Sequence, residues 1–451
     1  MRPNTASKLL IICSLFYLII GVSLGFVTAM KLLWPTVGEI EILTFGRIRS
    51  VHTNLVMFGW LLQAGMGLIF FILPKLLHNK LFSEKLGVAT CVLFNIATLG
   101  SALFIFAGKM KNIEYGEIPI PFDYLTVVCW IMFAINVFGT VINRNVKYLY
   151  VSVWYIIGTV IWTSFVYITG NIITQLPFIT GINQANLTWF YVHNAVGLIF
   201  TPMGVAIAYY IIPKSLNTPL HSHKLSLIGF WVISFVYVWT GAHHMIHGPI
   251  SYWLQTVAIL FSWSLIIPVV AVITNFLGTY LATAKDKRYL GPIPKFMYMG
   301  TIFYLLTCLQ GPFQAIRTVN IITSKNDWVV GHAHMALLGA FTFFAVGGIY
   351  HVLPRIIGRK LYSEKLGNIQ FWIMTLASIL FFGILWVGGV VQGYFWHNLN
   401  GTFLEILKMM KPYHTIRFVS GSLLVVGIII FLYNIMETLW GKAQELKDVE
   451  V

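Results

Sequence analysis

Apolar residues run along this chain in stretches of about twenty or more, separated by short polar segments. A helix rises about 1.5 Å per residue, so each stretch is long enough to cross the hydrocarbon core of a bilayer. The pattern therefore predicts an all-α integral membrane protein with about twelve transmembrane helices, in a single domain over residues 1–451. The predicted spans lie near residues 7–31, 42–73, 86–108, 120–144, 148–170, 186–213, 224–245, 249–283, 293–316, 328–354, 366–393 and 415–440.

Composition and charge agree with this prediction and orient the chain. Of the 451 residues, 58% are hydrophobic and only 10% are charged, which is too apolar for a water-soluble core. The net charge of +15 comes from Lys and Arg concentrated in the loops that follow the second, fourth, sixth, eighth and tenth spans. By the positive-inside rule both termini are expected in the cytoplasm, and the first span is expected to be a retained helix. The charge thus indicates orientation in a lipid membrane and no nucleic-acid partner.

An internal repeat adds an expected symmetry. The stretches "LPKLLHNKLFSEKLG" (Leu73–Gly87) and "LPRIIGRKLYSEKLG" (Leu353–Gly367) are nearly identical, and "YYIIPKSLNTPLHSHKLS" (Tyr209–Ser226) is a weaker copy. They follow the second, sixth and tenth spans, which all cross the membrane in the same direction. Parallel repeats of this kind are arranged about an axis along the membrane normal. We therefore expect a pseudo-threefold ring of helices with one histidine-bearing helix in each repeat.

Histidines are the ionisable residues that stand out within the spans. The acidic residues all fall in loops or at span ends, which argues against a transporter coupled through buried carboxylates. The four cysteines are scattered singly and are interpreted as core residues, with no zinc pattern and no motif for covalent haem. Six histidines lie within spans near the outer side, and imidazole is a common ligand of metals and of haem iron. These six are His52, His193, His243, His244, His332 and His334. At loops or span ends, where solvent exposure is expected, are His78, His221, His223, His351, His397 and His414.

The spacing of these histidines indicates more than one centre. His332 and His334 are two residues apart, which places them about 200° apart around a helix, so one helix can serve two cofactors on opposite faces. The adjacent pair His243 and His244 can meet at one metal only if the backbone is distorted, and Gly241 makes distortion inexpensive. With His193 they would form a three-nitrogen site suited to copper, iron or zinc, with an open coordination position.

Five stretches of the chain resemble the catalytic subunit of the haem–copper oxidoreductase superfamily, and most closely its C-family, the cbb3-type cytochrome c oxidases. The resemblance runs essentially end to end and implies the pseudo-threefold bundle of that superfamily. The stretches are "GRIRSVHTNLVMFGW" (Gly46–Trp60), "WFYVHNAVGL" (Trp189–Leu198), "FVYVWTGAHH" (Phe235–His244), "LQGPFQAI" (Leu309–Ile316) and "DWVVGHAHMALLGA" (Asp327–Ala340).

The resemblance implies a role for each histidine. His52 and His334 would be the axial ligands of a low-spin haem b, and His332 the ligand of a high-spin haem b. The copper ion called CuB would be held by His193, His243 and His244. Tyr237 stands at the place of the family's active-site tyrosine, which is cross-linked to the residue matching His193.

The resemblance also implies contacts around the haems. Arg49 and Trp189 resemble groups that neutralise or hydrogen bond to haem propionates, which need such partners at low dielectric. Glu117, with Glu114 as the alternative, resembles the loop acid that helps to bind a structural calcium. Gln310 stands where the family commonly has Glu, and could hydrogen bond to His332 without carrying charge.

The function implied is the reduction of O₂ to water in the cell (inner) membrane of a bacterium or archaeon. Electrons would arrive through the low-spin haem from c-type cytochrome subunits, and protons from the cytoplasm along a route that includes Ser234, Tyr237 and Thr240. The alternative is a nitric oxide reductase, with NO as substrate and a non-haem iron in place of CuB. That enzyme places Glu four residues after the first metal histidine, where this chain has Gly197. The third function class considered is a permease that binds no redox cofactor.

Overall fold

Twelve long helices make up the molecule in the computed structural model, which describes residues 1–285, 288, 291–398, 401–441 and 443–445. Within these residues eleven helices are both long and apolar enough to cross a membrane, and α9, with 23 residues, has the length. The prediction of about twelve spans is confirmed. In chain order the helices are α1 (Thr5–Leu33), α2 (Phe45–Leu77), α3 (Glu84–Phe106), α4 (Ile120–Ile142), α5 (Val151–Gln175), α6 (Gly181–Leu216), α7 (His223–Met245), α8 (Tyr252–Ala282), α9 (Pro292–Gln314), α10 (Asp327–Ile357), α11 (Glu364–Asn398) and α12 (Phe403–Trp440).

The largest boundary difference concerns α12, which begins at Phe403 instead of near residue 415. Its first turns carry Lys408 and Lys411, so the hydropathy pattern does not mark them as part of a span. The helix starts there because Thr402 and Glu405 form a capping box, in which each side chain bonds to the backbone N–H of the other.

Three helices form an inner group, and they carry four of the six span histidines, His52, His193, His332 and His334. In α2, α6 and α10 the most apolar part is 94%, 94% and 89% buried, whereas in α1, α3, α4, α5, α7, α8, α11 and α12 it is at most 61% buried. Each inner helix widens into a π-helical segment just after its histidine, at Leu55–Leu62, Ala195–Phe200 and Met335–Thr342. Wide turns of this type occur often at functional sites. The expected arrangement of one central histidine-bearing helix per repeat is therefore present.

The repeat is also visible in hydrogen bonds that the sequence comparison did not reveal. In the first repeat the loop after α2 is held by α4, where Asn136 Oδ1 accepts from the Ser83 N–H at 3.0 Å and Thr140 Oγ1 accepts from the Phe82 N–H at 3.0 Å. Ser83 in turn caps α3, because its hydroxyl oxygen accepts from the Leu86 N–H. We call this arrangement the loop clamp.

The same loop clamp recurs in the other two repeats, always between the loop after the second helix and the Asn-x-x-x-Thr sequence of the fourth. The bonds are Ser222 N to Asn275 Oδ1, His221 N to Thr279 Oγ1, Ser363 N to Asn434 Oδ1 and Tyr362 N to Thr438 Oγ1, at 2.8 to 3.1 Å. Each repeat is therefore a four-helix unit that fastens its own loop.

Two histidines at span ends are buried, contrary to the expectation of solvent exposure. His351 is 3% exposed, because the inner helix α10 stays buried to its last turn, and its ring lies beside that of Tyr210. His414 is 7% exposed and lies 3.3 Å from the Asp327 carboxylate. The expectation is confirmed for His78, His221, His223 and His397, which are exposed.

Candidate haem and metal site

His52 on α2 and His334 on α10 face each other across a gap. Their ring planes differ by 15° and their ring centroids are 6.3 Å apart. His52 Nδ1–H donates to the Gly21 carbonyl at 2.6 Å, and His334 Nδ1–H donates to the Val330 carbonyl at 2.8 Å. With each Nδ1 carrying the proton, each Nε2 keeps its lone pair for a metal. Two metal–nitrogen bonds of about 2.0 Å, together with the distance from each ring centroid to its Nε2, add up to about 6 Å. This sum matches the separation of the two centroids, so an iron ion fits between the rings.

Glycines on α1 make room for this pair. A Cβ on Gly25 would lie 2.6 Å from His52 Cε1, and the neighbouring Gly21 supplies the carbonyl that orients the ring. Because small residues let helices approach closely in a membrane, α1 can contact the ligand through its backbone.

His332 points to the other side of α10, as its spacing from His334 predicts. Its Nδ1–H donates to Gln310 Oε1 at 2.9 Å, which leaves Nε2 free. The ring lines a cavity of about 540 Å³ whose wall also includes His193, His243 and Tyr237. The expected contact between Gln310 and His332 is therefore present, and an internal cavity lies beside the histidine.

His193, His243 and His244 form a compact cluster on the cavity wall. One ligand atom from each lies within 4.8 Å of the others, and His193 Nδ1 is 3.0 Å from His244 Nε2. The backbone at the pair is distorted as expected, into a 3₁₀ turn at Gly241–Met245. A Cβ on Gly241 would lie 3.0 Å from the Phe190 Cα, so glycine is also needed for close contact with α6. Three imidazoles this close form a donor set that fits a copper ion.

Tyr237 completes this side of the cavity. It lies where α7 changes to 3₁₀ geometry, and its ring centroid is 5.0 Å from that of His193. His193 Nε2 is buried and has no hydrogen-bond partner. The ring of Tyr237 rests on the backbone of Gly197, where a Cβ would lie 1.7 Å from the tyrosine Cε1.

Arg49 and Trp189 both line the same cavity, each with a second contact. The Trp189 ring stacks on His244 with centroids 4.5 Å apart and planes 10° apart. Arg49 forms an ion pair with Glu114. Their contact with haem propionates stays a prediction.

The loop of residues 107–119, between α3 and α4, carries both acids considered for calcium. Glu117 is 5% exposed, and its Oε2 accepts from Asn54 Nδ2 at 2.8 Å. Burial raises the pKa of Glu117 to about 7. The loop is tied to α4 by a buried ion pair between Lys111 and Asp123. Glu117 is thus a buried carboxyl rather than a solvated one, and its binding of calcium stays a prediction.

Several polar side chains at the site are not identifiable from the sequence. Asp327 at the start of α10 bonds to Arg417 Nη1 at 3.2 Å and lies beside His414. Ser262 on α8 is 2.5 Å from His243 Nδ1. In the sequence Asp327 is distinguished only as part of the "DWVVGHAH" stretch, Arg417 stands at the predicted start of the last span, where basic residues are common, and Ser262 is an ordinary span residue. Only their packing reveals them.

Comparisons with known proteins agree with this geometry. A family model described as cytochrome C and quinol oxidase polypeptide I matches residues 5–423. The chain is 30% identical to the cbb3-type cytochrome c oxidase subunit CcoN1 of Stutzerimonas stutzeri, over 96% of this chain and 93% of that protein. It is 29% identical to a cytochrome c oxidase subunit 1 homolog of Agrobacterium tumefaciens, over 96% of this chain and 83% of that protein.

Two further similarities define the wider superfamily. A subunit of the nitric oxide reductase of Stutzerimonas stutzeri is 22% identical, over 87% of this chain and 86% of that protein. A solved haem–copper terminal oxidase dimer shares the fold, with a TM-score of 0.83 and 16% identity over 98% of this chain and 86% of that one. The chain therefore belongs to the cytochrome c and quinol oxidase polypeptide I family, as a haem–copper oxidase catalytic subunit of the cbb3 type related to nitric oxide reductase.

Proposed function

We propose that this chain catalyses the reduction of O₂ to water at a high-spin haem held by His332 and a copper ion held by His193, His243 and His244. The observation that carries the proposal is the shared cavity, where His332 and the three-histidine cluster line one space together with Tyr237. A second haem, of the low-spin b type, would be held between His52 and His334. When bound, these groups supply the centre that accepts electrons and the metal positions at which oxygen is reduced.

The chain's own residues orient these ligands and supply protons. Gln310 and the carbonyls of Gly21 and Val330 hold three imidazoles with Nε2 unprotonated. The phenol of Tyr237 lies on the cavity wall, where it can deliver a proton and an electron to the reacting molecule. Arg49 and Trp189, which line the same cavity, would face the haem propionates.

Gly197 and Tyr237 favour oxygen over nitric oxide as the substrate. In the nitric oxide reductase pattern a Glu stands at the position of Gly197, but any side chain there would occupy the space of the Tyr237 ring. In this chain the Tyr237 ring fills the space that a glutamate side chain at position 197 would need. Nitric oxide reduction, with a non-haem iron at the three-histidine site, is therefore the alternative function. Identifying the metal at that site by metal analysis distinguishes the two.

Protons would come from the cytoplasmic side, since the histidines lie toward the opposite end of the helices. Ser234 and Thr240, which are predicted to lie on this route, donate to carbonyls of their own segment at 2.6 Å, which is equally typical of packing hydroxyls. Tyr304 and Cys308, one helical turn apart on α9, line the cavity together with Tyr237. We include this pair in the proposed route.

The same proposal implies an electron donor, a membrane location and a bound calcium ion. Lacking a motif for covalent haem, the chain would receive electrons from c-type cytochrome subunits. It would lie in the cell (inner) membrane of a bacterium or archaeon with both termini in the cytoplasm. Glu117 would bind a calcium ion beside the propionates, because its carboxyl is held in the loop that also pairs with Arg49.

Visible spectra of the purified enzyme test the cofactors. The reduced-minus-oxidised spectrum should show one low-spin haem, and carbon monoxide should shift a second haem. Replacing His332 by Ala should abolish the carbon monoxide signal and leave the low-spin band. A colourless protein would instead indicate a permease, and loss of both bands in His332→Ala would contradict the assignment of ligands to separate haems.

Metal analysis tests the third site. One copper ion for every two haem irons supports oxygen reduction. A third iron without copper, together with turnover of NO to N₂O in place of O₂ consumption, would overturn the proposal.

A further inference from the structure

The ring of His243 is held by a neighbouring helix instead of its own. His243 lies in the 3₁₀ turn Gly241–Met245, so regular helical geometry does not set its direction. Its Nδ1 is 2.5 Å from the hydroxyl oxygen of Ser262, on the adjacent helix α8. Both residues are buried, with His243 5% exposed and Ser262 1% exposed. The contact is thus shielded from competing water.

The position of the proton in this contact follows from a second hydrogen bond. Ser262 Oγ is also 2.6 Å from the carbonyl oxygen of Ala258. Two oxygens at that distance need a hydrogen between them, and a serine hydroxyl has only one to donate. Ser262 therefore donates to Ala258 and accepts from His243. This requires the proton of the neutral imidazole to be on Nδ1, which leaves the lone pair on Nε2.

We propose that Ser262 is a positioning residue for the metal, which fixes the tautomer of His243 and directs its Nε2 toward His193 and His244. The proposal rests on the proposed function in taking copper as the ion at this cluster. Without the serine oxygen, the imidazole can rotate and can carry its proton on Nε2, where it blocks coordination. Loss of a group that orients a metal ligand in this way weakens metal binding by about 10 to 100-fold.

The test compares copper affinity in the assembled oxidase, purified with all of its subunits. A competing chelator removes copper stepwise, and mass spectrometry gives the copper remaining per haem. We expect Ser262→Ala to bind copper about 10 to 100-fold more weakly than the wild type. Its haem spectrum should stay unchanged, because the hydrogen bonds of Ser262 are made to His243 and Ala258 and not to His52, His332 or His334.

Two variants control the measurement. Ser264→Ala removes a hydroxyl from the same helix, but this serine is only partly buried and its hydroxyl donates to the Leu260 carbonyl, so copper affinity should stay at the wild-type level. Ser262→Thr keeps the hydroxyl oxygen and should restore most of the affinity. Only enzyme that shows both haem bands enters the comparison, so a misfolded fraction does not count as lost copper.

The outcomes separate this inference from the function on which it rests. A wild-type enzyme without copper contradicts the proposed function. A copper-loaded wild type together with normal affinity in Ser262→Ala overturns the role of Ser262 alone. Equal loss in Ser262→Ala and Ser262→Thr also overturns it, because the hydroxyl oxygen would then not be the group that matters.

Discussion

Gly197 on α6 lies so close to the ring of Tyr237 that a Cβ on residue 197 would be 1.7 Å from the tyrosine Cε1 and 1.8 Å from its Cζ. The tyrosine keeps its place at the cavity only because this position has no side chain. We therefore expect Gly197→Ala to displace the ring by about 1 Å or more and to lower the rate of oxygen consumption about a hundredfold. Oxygen-electrode assays of purified enzyme measure this.

Gly383 on α11 is a matched control for that substitution. It is also a helical glycine, but no atom lies within 4 Å of a Cβ built there. Gly383→Ala should keep the wild-type rate. A Gly197→Ala enzyme with wild-type activity would show that Tyr237 does not need its present position.

The neutral amide of Gln310 should influence the potential of the haem on His332. Gln310→Glu would place a charged acceptor on His332 Nδ1–H, and such hydrogen bonds are stronger than neutral ones by about 1 kcal/mol. The stronger bond makes the imidazole a better donor and stabilises oxidised iron, so the midpoint potential should fall by about 50 mV. A redox titration of the carbon monoxide-reactive haem checks this, and the potential of the low-spin haem serves as the internal reference. A rise in potential would contradict the reasoning.

The three loop clamps should contribute similarly to stability. Asn136→Ala, Asn275→Ala and Asn434→Ala each leave a loop N–H without its acceptor, at an expected cost of about 1–3 kcal/mol in the free energy of unfolding. Unfolding in mixed detergent micelles, followed by the haem absorbance, gives these values. Asn143→Ala is the control, since that exposed amide donates only to the Gly139 carbonyl of its own helix. Three costs that differ widely would argue against equivalent repeats.

Glu117 should titrate near neutral pH. Burial raises its pKa to about 7, so in the folded protein the carboxyl is protonated below that pH and ionises above it. An unfolded chain ionises near the ordinary glutamate pKa, so this group lowers folding stability as pH rises from about 4.5 to 7. Infrared titration should show a protonated carboxyl band that disappears through pH 7 and is absent from Glu117→Gln. Calcium should remove the band at lower pH, because a cation favours the carboxylate. A band insensitive to calcium would argue against the predicted calcium site.

The sequence alone determined the membrane-spanning helices, their number and the direction of the repeats. These properties depend on local hydropathy and on spacing along the chain, because an apolar segment long enough to cross the hydrocarbon core inserts as a helix. It also determined that His332 and His334 face opposite sides of their helix, because helical geometry fixes the angle between residues that are two positions apart. The six histidines stood out because they lie at a common depth in the membrane. A single histidine in a span can be a hydrogen-bonded packing residue, but six at one depth indicate metal or haem ligands. Their assignment to particular cofactors came from the family resemblance.

Only the tertiary structure decided which groups meet across helices. The acceptors for His52 and His243 are the Gly21 carbonyl and the Ser262 hydroxyl, and neither is distinguishable in sequence from the polar and small residues that pack any membrane helix. The burial of Glu117 and His414 was likewise hidden, because a loop or span-end position does not reveal what covers it. Hydrogen bonds and burial depend on which helices become neighbours, and that is settled by packing over the whole bundle.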